Sequence, residues 1–197
     1  MFRPFAYSFF ISLGVLLAAS AGAQDPSRPQ LRARIDSLWQ SALRPPPSDS
    51  VQWVAVLPAE RARNNKVRSI LEGEGYPGTR EVGAEGVEHF WLLLQKADAD
   101  PPLQRLALGL MRPQVVAGNV PGRHLAWLQD RVLVNSGQLQ WYGTQIRLNA
   151  DSSSFEPRPV EDPPNLDLRR STLGLEPIAE YIALMNRRYG ELLRPKE

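Results

Sequence analysis

Apolar residues recur at Leu31, Ile35, Leu38, Trp39 and Ala42, the one-sided spacing of an amphipathic helix. That helix is predicted to stop before Pro45, Pro46 and Pro47, which cannot continue it. A second helix is predicted from about Ala59 to Glu72, packed through Ala62, Val67, Ile70 and Leu71. Its other positions carry Arg61, Arg63, Lys66 and Arg68, a basic run that spreads around the helix and reads as solvated surface rather than a contact for an anionic polymer. Five glycines then fall between Gly73 and Gly86, and the pattern predicts a set of turns. A phosphate cradle is a poor reading of this segment, because Glu72, Glu74, Glu81, Glu85 and Glu88 surround it and no Gly-Lys-Ser/Thr is present. The helix predicted next, Val87 to Ala97, is apolar nearly all round and therefore central.

Pro101 and Pro102 start a further helix with a stripe of Leu103, Leu106, Ala107, Leu110 and Met111. Pro121 opens another, running through Leu125, Leu128 and Val132 to a stop near Gly137. The pattern then changes. Gln138 to Leu148 is rich in aromatic and β-branched residues, Asn149 to Ser154 has turn composition, and Phe155 to Val160 can return as a second strand. A short helix is predicted from Asp162, Pro163 and Pro164, and a last one over Glu176 to Tyr189, packed through Ile178, Ile182, Met185 and Tyr189. The sum is a mainly α chain: a single helical domain with one late β-hairpin near residues 138–160.

The first residues change the picture of where this domain works. Arg3, the apolar run Phe9 to Ala19, and the small residues Ala21, Gly22 and Ala23 make a secretory signal peptide over residues 1–23, cleaved after Ala23. The run is too short to span a bilayer, which takes about 20 apolar residues, and Gln24, Asp25 and Pro26 follow at once. The expected mature chain is one globular domain, residues 24–197, periplasmic or secreted, with no membrane span. With no cysteine in the chain it has neither a lipid anchor on that residue nor a disulfide. The leader removes only Arg3 from 23 basic residues, leaving 22 against 21 acidic ones, so bulk charge selects no partner.

Candidate chemistry gathers between Asp130 and Gln145. On a helix the neighbours of Asp130 are Ala126, Trp127, Leu133 and Val134, so its carboxylate is predicted to lie at least partly buried. A buried carboxylate needs a cation or several donors, and Arg131, Arg169 and Arg170 are the nearest candidates. If the next segment is a strand, Gln138, Gln140, Tyr142, Thr144 and Ile146 share one face, and Gly143 permits a bulge or close approach of another backbone. Two amides, a phenol and a hydroxyl on one face suit a polar ligand and equally suit a solvated strand.

Over Gly75 to Tyr181 the chain resembles a family of bacterial domains of unknown function. The resemblance rests on Gly75 with Pro77, the Gln95-Lys96-Ala97-Asp98 segment, Gln104, Leu128 with Asp130 and Arg131, Gly137, Gln140, Tyr142-Gly143-Thr144-Gln145, Pro159, Glu161, Asp162, Arg170, Gly174 with Leu175, and Tyr181. In the family pattern the position of Lys96 is usually histidine and that of Tyr76 usually tryptophan, so a mechanism built on that histidine does not carry over. The resemblance implies one domain and brings no activity.

His89 and His124 are the only histidines, each at the start of a helix where a structural role is the default. A zinc site would need unusual carboxylate ligation, no HExxH or GxSxG occurs, and no metal or cofactor is expected. Export and near-neutral charge argue against nucleic acid. Two readings remain. In one, Gln95, Asp98, Gln140, Tyr142, Thr144 and Gln145 line a groove for an unknown polar ligand or envelope protein. In the other, an envelope hydrolase or transferase uses Asp98 and Asp130 as an acid/base pair, with Arg131 and Tyr142 stabilising developing charge. The first is favoured because no nucleophile–base signature appears.

Overall fold

The computed structural model describes residues 25–43, 50–151 and 153–189, and of residues 50–55 the backbone only. The predicted leader, the proline run after Ala42 and the end of the chain lie outside these residues. Seven α-helices and one two-stranded antiparallel sheet are present among them: α1 Pro29–Ala42, α2 Ser50–Glu74, α3 Thr79–Gln95, α4 Pro101–Val116, α5 Gly122–Asn135, β1 Ile146–Leu148, β2 Phe155–Pro157, α6 Leu166–Ser171 and α7 Ile178–Tyr189. The chain is thus mainly α with a hairpin late in the sequence.

Helices α1 to α5 enclose the core. The stripe of α1 is buried as its spacing requires, through Leu31, Ile35, Leu38 and Ala42, and lies against α3. Polar residues flank that contact: Arg32 reaches Asp36 and Glu85 at 2.6 Å each, and His89 meets Asp36 at 2.7 Å beneath the ring of Trp39. Phe90, Leu93 and Leu94 of α3 fill the centre. No helix among the described residues is long and apolar enough to cross a membrane.

Three boundaries differ from the sequence reading. Helix α2 begins nine residues before Ala59 and carries Pro58 within it, so the missing N–H is absorbed inside a long helix instead of starting one. Helix α3 begins at Thr79, which places Gly83 and Gly86 inside it. The start is held by Glu81, which accepts from the Gly78 N–H at 2.9 Å, and the helix kinks at Gly83, whose φ of 72° is open to glycine at little cost. The predicted strand over 138–148 shrinks to 146–148, paired as Ile146 with Pro157, Arg147 with Glu156 and Leu148 with Phe155. Residues 138–145 form an irregular loop, joined to the returning chain by an isolated bridge between Gln140 and Val160 and by the Arg158 N–H, which donates to Gln145 O at 2.9 Å.

Candidate functional site

Asp130 on α5 has no exposed surface. Its Oδ1 accepts from the N–H groups of Trp141 and Tyr142 at 2.8 and 3.0 Å, and its Oδ2 accepts from the N–H and hydroxyl of Thr144 at 2.9 Å each. Successive N–H groups in a strand point to opposite sides, so Trp141 and Tyr142 cannot both reach one oxygen from an extended chain. The anion has wrapped the backbone into a nest around itself. Gly143 makes the wrap possible: its φ is 68°, and an added Cβ would sit 3.0 Å from Ile178 Cδ1. Burial pushes the Asp130 carboxyl above its ordinary value, while the backbone donors of Thr144, Tyr142 and Trp141 pull against that.

The carbonyl groups of the same loop are held from the other side. Arg170, 1% exposed, donates to Tyr142 O at 2.5 Å and to Glu176 O at 2.7 Å, with its guanidinium 5.2 Å from the centre of the Tyr181 ring. Arg169 donates to Trp141 O at 2.9 Å and to Glu161 O. The Tyr181 hydroxyl donates to Thr144 O at 3.0 Å. Gln140, with no exposed surface, donates to Arg158 O and Gln145 O and accepts from the Gln145 N–H at 2.9 Å. One carboxylate therefore takes the N–H groups of Trp141, Tyr142 and Thr144, and Arg169, Arg170, Tyr181 and Gln140 take the loop's C=O groups. The Asp–Arg pair expected from the sequence does not form, because Arg131, Arg169 and Arg170 each bond elsewhere. The shared polar face expected of Gln138 to Ile146 does not form either, because the segment is not a strand.

Of the residues picked out for ligand contact, Gln95, Gln140, Tyr142 and Thr144 are buried, and Gln145 is half-buried with its amide on Trp127 O and Thr144 Oγ1. Leu139 and Trp141, on the same loop, are each 46% exposed. Asp98 lies on the turn between α3 and α4 and bonds to Arg131 and Asn135 of α5, not to Asp130. Arg131 Nε donates to its Oδ1 at 2.6 Å and Nη2 to its Oδ2, while Asn135 and Gln104 add donors at 3.0 and 3.3 Å. The two carboxylates of the expected acid/base pair have different donor sets, and they differ in burial: Asp130 has no exposed surface, whereas the Asp98 side chain is 40% exposed.

The other end of the α3–α5 seam carries a second ionic pair. His124 Nε2 lies 2.9 Å from Glu88, Arg123 donates to the same oxygen at 3.2 Å, and the Trp91 ring stacks on the imidazole at 4.6 Å. Burial lowers the His124 pKa despite Glu88; burial also raises Glu88, but His124 and Arg123 outweigh that and hold it below the usual carboxylate range.

Unsatisfied polar groups concentrate elsewhere. Arg63 Nε, Asn64 Oδ1 and Gln95 Nε2 are buried without a hydrogen-bond partner in the protein, as are Tyr76 Oη and His124 Nδ1. Arg63 and Asn64 sit on α2, and Gln95 is the last residue of α3, beside the half-buried Lys96 that caps it. The ammonium of Lys96 is within electrostatic reach of Arg63 and Arg131 as well as Glu60. Burial first, and then Arg63, lowers the Lys96 pKa. Burial likewise lowers that of Arg63, which Glu60 approaches at 3.9 Å.

The pattern of a family of unknown function, DUF6624, matches residues 30–194. The chain belongs to this family. No curated protein and no solved structure matches it. The family match extends beyond the Gly75 to Tyr181 stretch on which the resemblance was drawn, taking in all of α2 and with it Arg63 and Asn64.

Of those two residues of the DUF6624 domain, Arg63 was expected at the solvated surface, and Asn64 was not singled out although a signal for it was present. It stands three residues before Val67 and seven before Leu71, on the buried stripe of α2, where a polar side chain is out of place. Glu88 and the pairing role of His124 were missed because their contact joins residues 36 apart. No group of three or more His, Cys, Asp or Glu among the described residues is placed to hold a metal ion. Two open clefts lie away from the candidate residues. One of about 380 Å³ lies between Thr79, Val115, Pro121 and Leu173, and one of about 590 Å³ lies between Arg34, Ser37, Lys66 and Ser69.

Proposed function

We propose that this DUF6624 domain is exported to the periplasm or beyond and there binds a polar ligand in the cell envelope. Binding is assigned to α2 and the Gln95–Asp98 turn, with Arg63, Asn64, Gln95 and Lys96 as contact residues and the Asp98–Arg131 pair as their support. The observation that carries this reading is the set of buried, unpartnered polar atoms on Arg63, Asn64 and Gln95. Buried polar atoms in native proteins are nearly always bonded, and each orphan costs about 1–3 kcal/mol that a bound polar molecule would offset. Export is supported by the Arg3, Phe9 to Ala19, Ala21-Gly22-Ala23 pattern.

Binding is preferred to acid/base catalysis for a structural reason. Asp130 has no access to solvent and its oxygens are filled by four donors, and Asp98 is engaged by Arg131, Asn135 and Gln104. Asp130 is thus closed to a substrate, and Asp98, although its side chain is 40% exposed, already has both oxygens on Arg131.

The test is thermal unfolding of the mature chain, Gln24 onward, against glycans, peptides and nucleotides of the envelope. A ligand at one hundred times its Kd stabilises the fold by about 2.7 kcal/mol, which raises Tm by roughly 5–10 °C in a domain of this size. The shift should vanish in Gln95→Met and Asn64→Leu. A shift that survives both variants, or none from any class, would contradict the assignment. Mass spectrometry of the periplasmic or secreted fraction should find an N-terminus at Gln24; intact chain confined to the cytosol would remove the export half.

A further inference from the structure

The larger of the two open clefts, about 590 Å³, lies between α1 and α2. One wall presents Arg34, Ser37 and Leu38, and the other presents Lys66, Ser69 and Ile70. The two walls carry the same pattern: a cation, a serine three residues on, and an apolar residue at the fourth. Positions three and four apart share a helix face, so each helix turns the same three groups into one cleft. Leu38 and Ile70 are buried, and the cations and serines stand exposed around them.

The polar groups of this lining are largely unengaged. Both charged residues on it are cations, and Lys66 makes no ion pair among the described residues. Arg34 has Glu74 at 3.6 Å, beyond hydrogen-bond range, and the other oxygen of that carboxylate is taken by Arg28. The serines behave alike. Ser41, Ser136 and Ser171 turn their hydroxyls back to carbonyls of the preceding turn, as helical serines commonly do. Ser37 and Ser69 make no side-chain hydrogen bond among the described residues.

We propose that this cleft binds a phosphate monoester, its oxygens taken by Arg34, Lys66, Ser37 and Ser69 and its organic part laid over Leu38 and Ile70. Two cations and two hydroxyls are donors to an oxyanion, and the three free oxygens of a monoester spread in directions that two walls can share. Arg34 supplies directed N–H groups and Lys66 a point charge. The volume suits a small organic molecule, for which sites run to about 300–1,000 Å³, better than a lone ion. None of Arg63, Asn64, Gln95 and Lys96 lines the cleft, so it is a second place on the domain. The basic residues of α2 divide by role: Arg68 is taken by Asp100 at 2.9 Å, and Lys66 is left for the ligand.

Calorimetric titration of the mature protein with butyl phosphate, inorganic phosphate and butanol tests the site. Butyl phosphate should bind more tightly than inorganic phosphate, butanol should not bind, and the affinity for butyl phosphate should fall as sodium chloride is raised. Lys66→Gln and, independently, Arg34→Gln should each weaken it by about tenfold, with folding of both verified by circular dichroism. Arg61→Gln, which removes an exposed cation of α2 outside the cleft, should leave it unchanged. Vesicles of phosphatidylcholine carrying phosphatidic acid or phosphatidylglycerol separate the sources of the monoester. Capture by phosphatidic acid alone, lost in Lys66→Gln and without a response to butyl phosphate, makes it a lipid headgroup. In the thermal screen, a shift lost in Lys66→Gln and kept in Gln95→Met would support this cleft and not the place assigned above. Failure of both butyl phosphate and phosphatidic acid to bind would overturn the proposal. So would binding that survives Lys66→Gln and Arg34→Gln, or that falls as far in Arg61→Gln.

Discussion

Two buried polar regions of this domain stand in contrast. Around Asp130 the loop 138–145 gives its N–H groups to one carboxylate and its C=O groups to Arg169, Arg170, Tyr181 and Gln140. On Arg63, Asn64 and Gln95, by contrast, the buried Nε, Oδ1 and Nε2 atoms have no hydrogen-bond partner in the protein. Burial and polarity are alike in the two regions; what differs is how far their hydrogen bonds are filled. A filled network has no valence left for a ligand, and an unfilled one keeps its desolvation cost until something arrives.

The contrast breaks most sharply at Asp130. Replacing it with alanine leaves three backbone N–H groups and the Thr144 hydroxyl without their acceptor in a dry site, and should cost about 3–5 kcal/mol, read as a fall in the urea midpoint. A loss under about 1 kcal/mol would mean the loop is not held by this anion. Arg170→Met comes next, at about 2–4 kcal/mol, since Tyr142 O and Glu176 O lose charged donors while the apolar length of the side chain is kept.

A smaller effect is expected of pH. The folded pKa of His124 is lowered by burial, so below about 6.5 the unfolded chain takes up a proton that the folded one resists. This contribution is present above the unfolded value and lost as pH falls through the folded one. Urea midpoints should therefore decline on acidification from pH 7.5, and His124→Gln should decline less steeply than wild type. Equal slopes would place the acid sensitivity in other groups.

The smallest effects belong to the unsaturated region. Lys96→Gln should change stability by no more than about 0.5–1 kcal/mol in either direction, because it removes a charge that its surroundings disfavour. A loss as large as that of Asp130→Ala would make Lys96 part of the architecture and erase the contrast.

How far the sequence spoke for each region follows the same line. The α1 stripe, the apolar α3 and the burial of Asp130 were legible, since periodicity reports which face is inside. The partners of Asp130 were not, because they are backbone N–H groups, which every residue has. The aromatic and β-branched content of 138–148 predicted a strand, and local propensity yielded to the carboxylate and to Gly143. The start of α3 was hidden by Gly83 and Gly86, which read as turns although one absorbs a kink inside the helix. Gln95 and Lys96 were visible as a motif. Arg63 was read as one of several surface cations because nothing in α2 says which of them will lack an acceptor.

The most direct measurement is of two side-chain amides in one titration. In ¹⁵N-labelled mature protein titrated with the molecule that most raises Tm in the thermal screen, the Gln95 side-chain NH₂ resonances should move with saturation, while those of Gln140, whose amide is already on Gln145 O and Arg158 O, should stay in place. Movement of Gln140 with the Tyr142 and Thr144 backbone signals, while Gln95 stays fixed, would contradict the account and put the ligand on the loop.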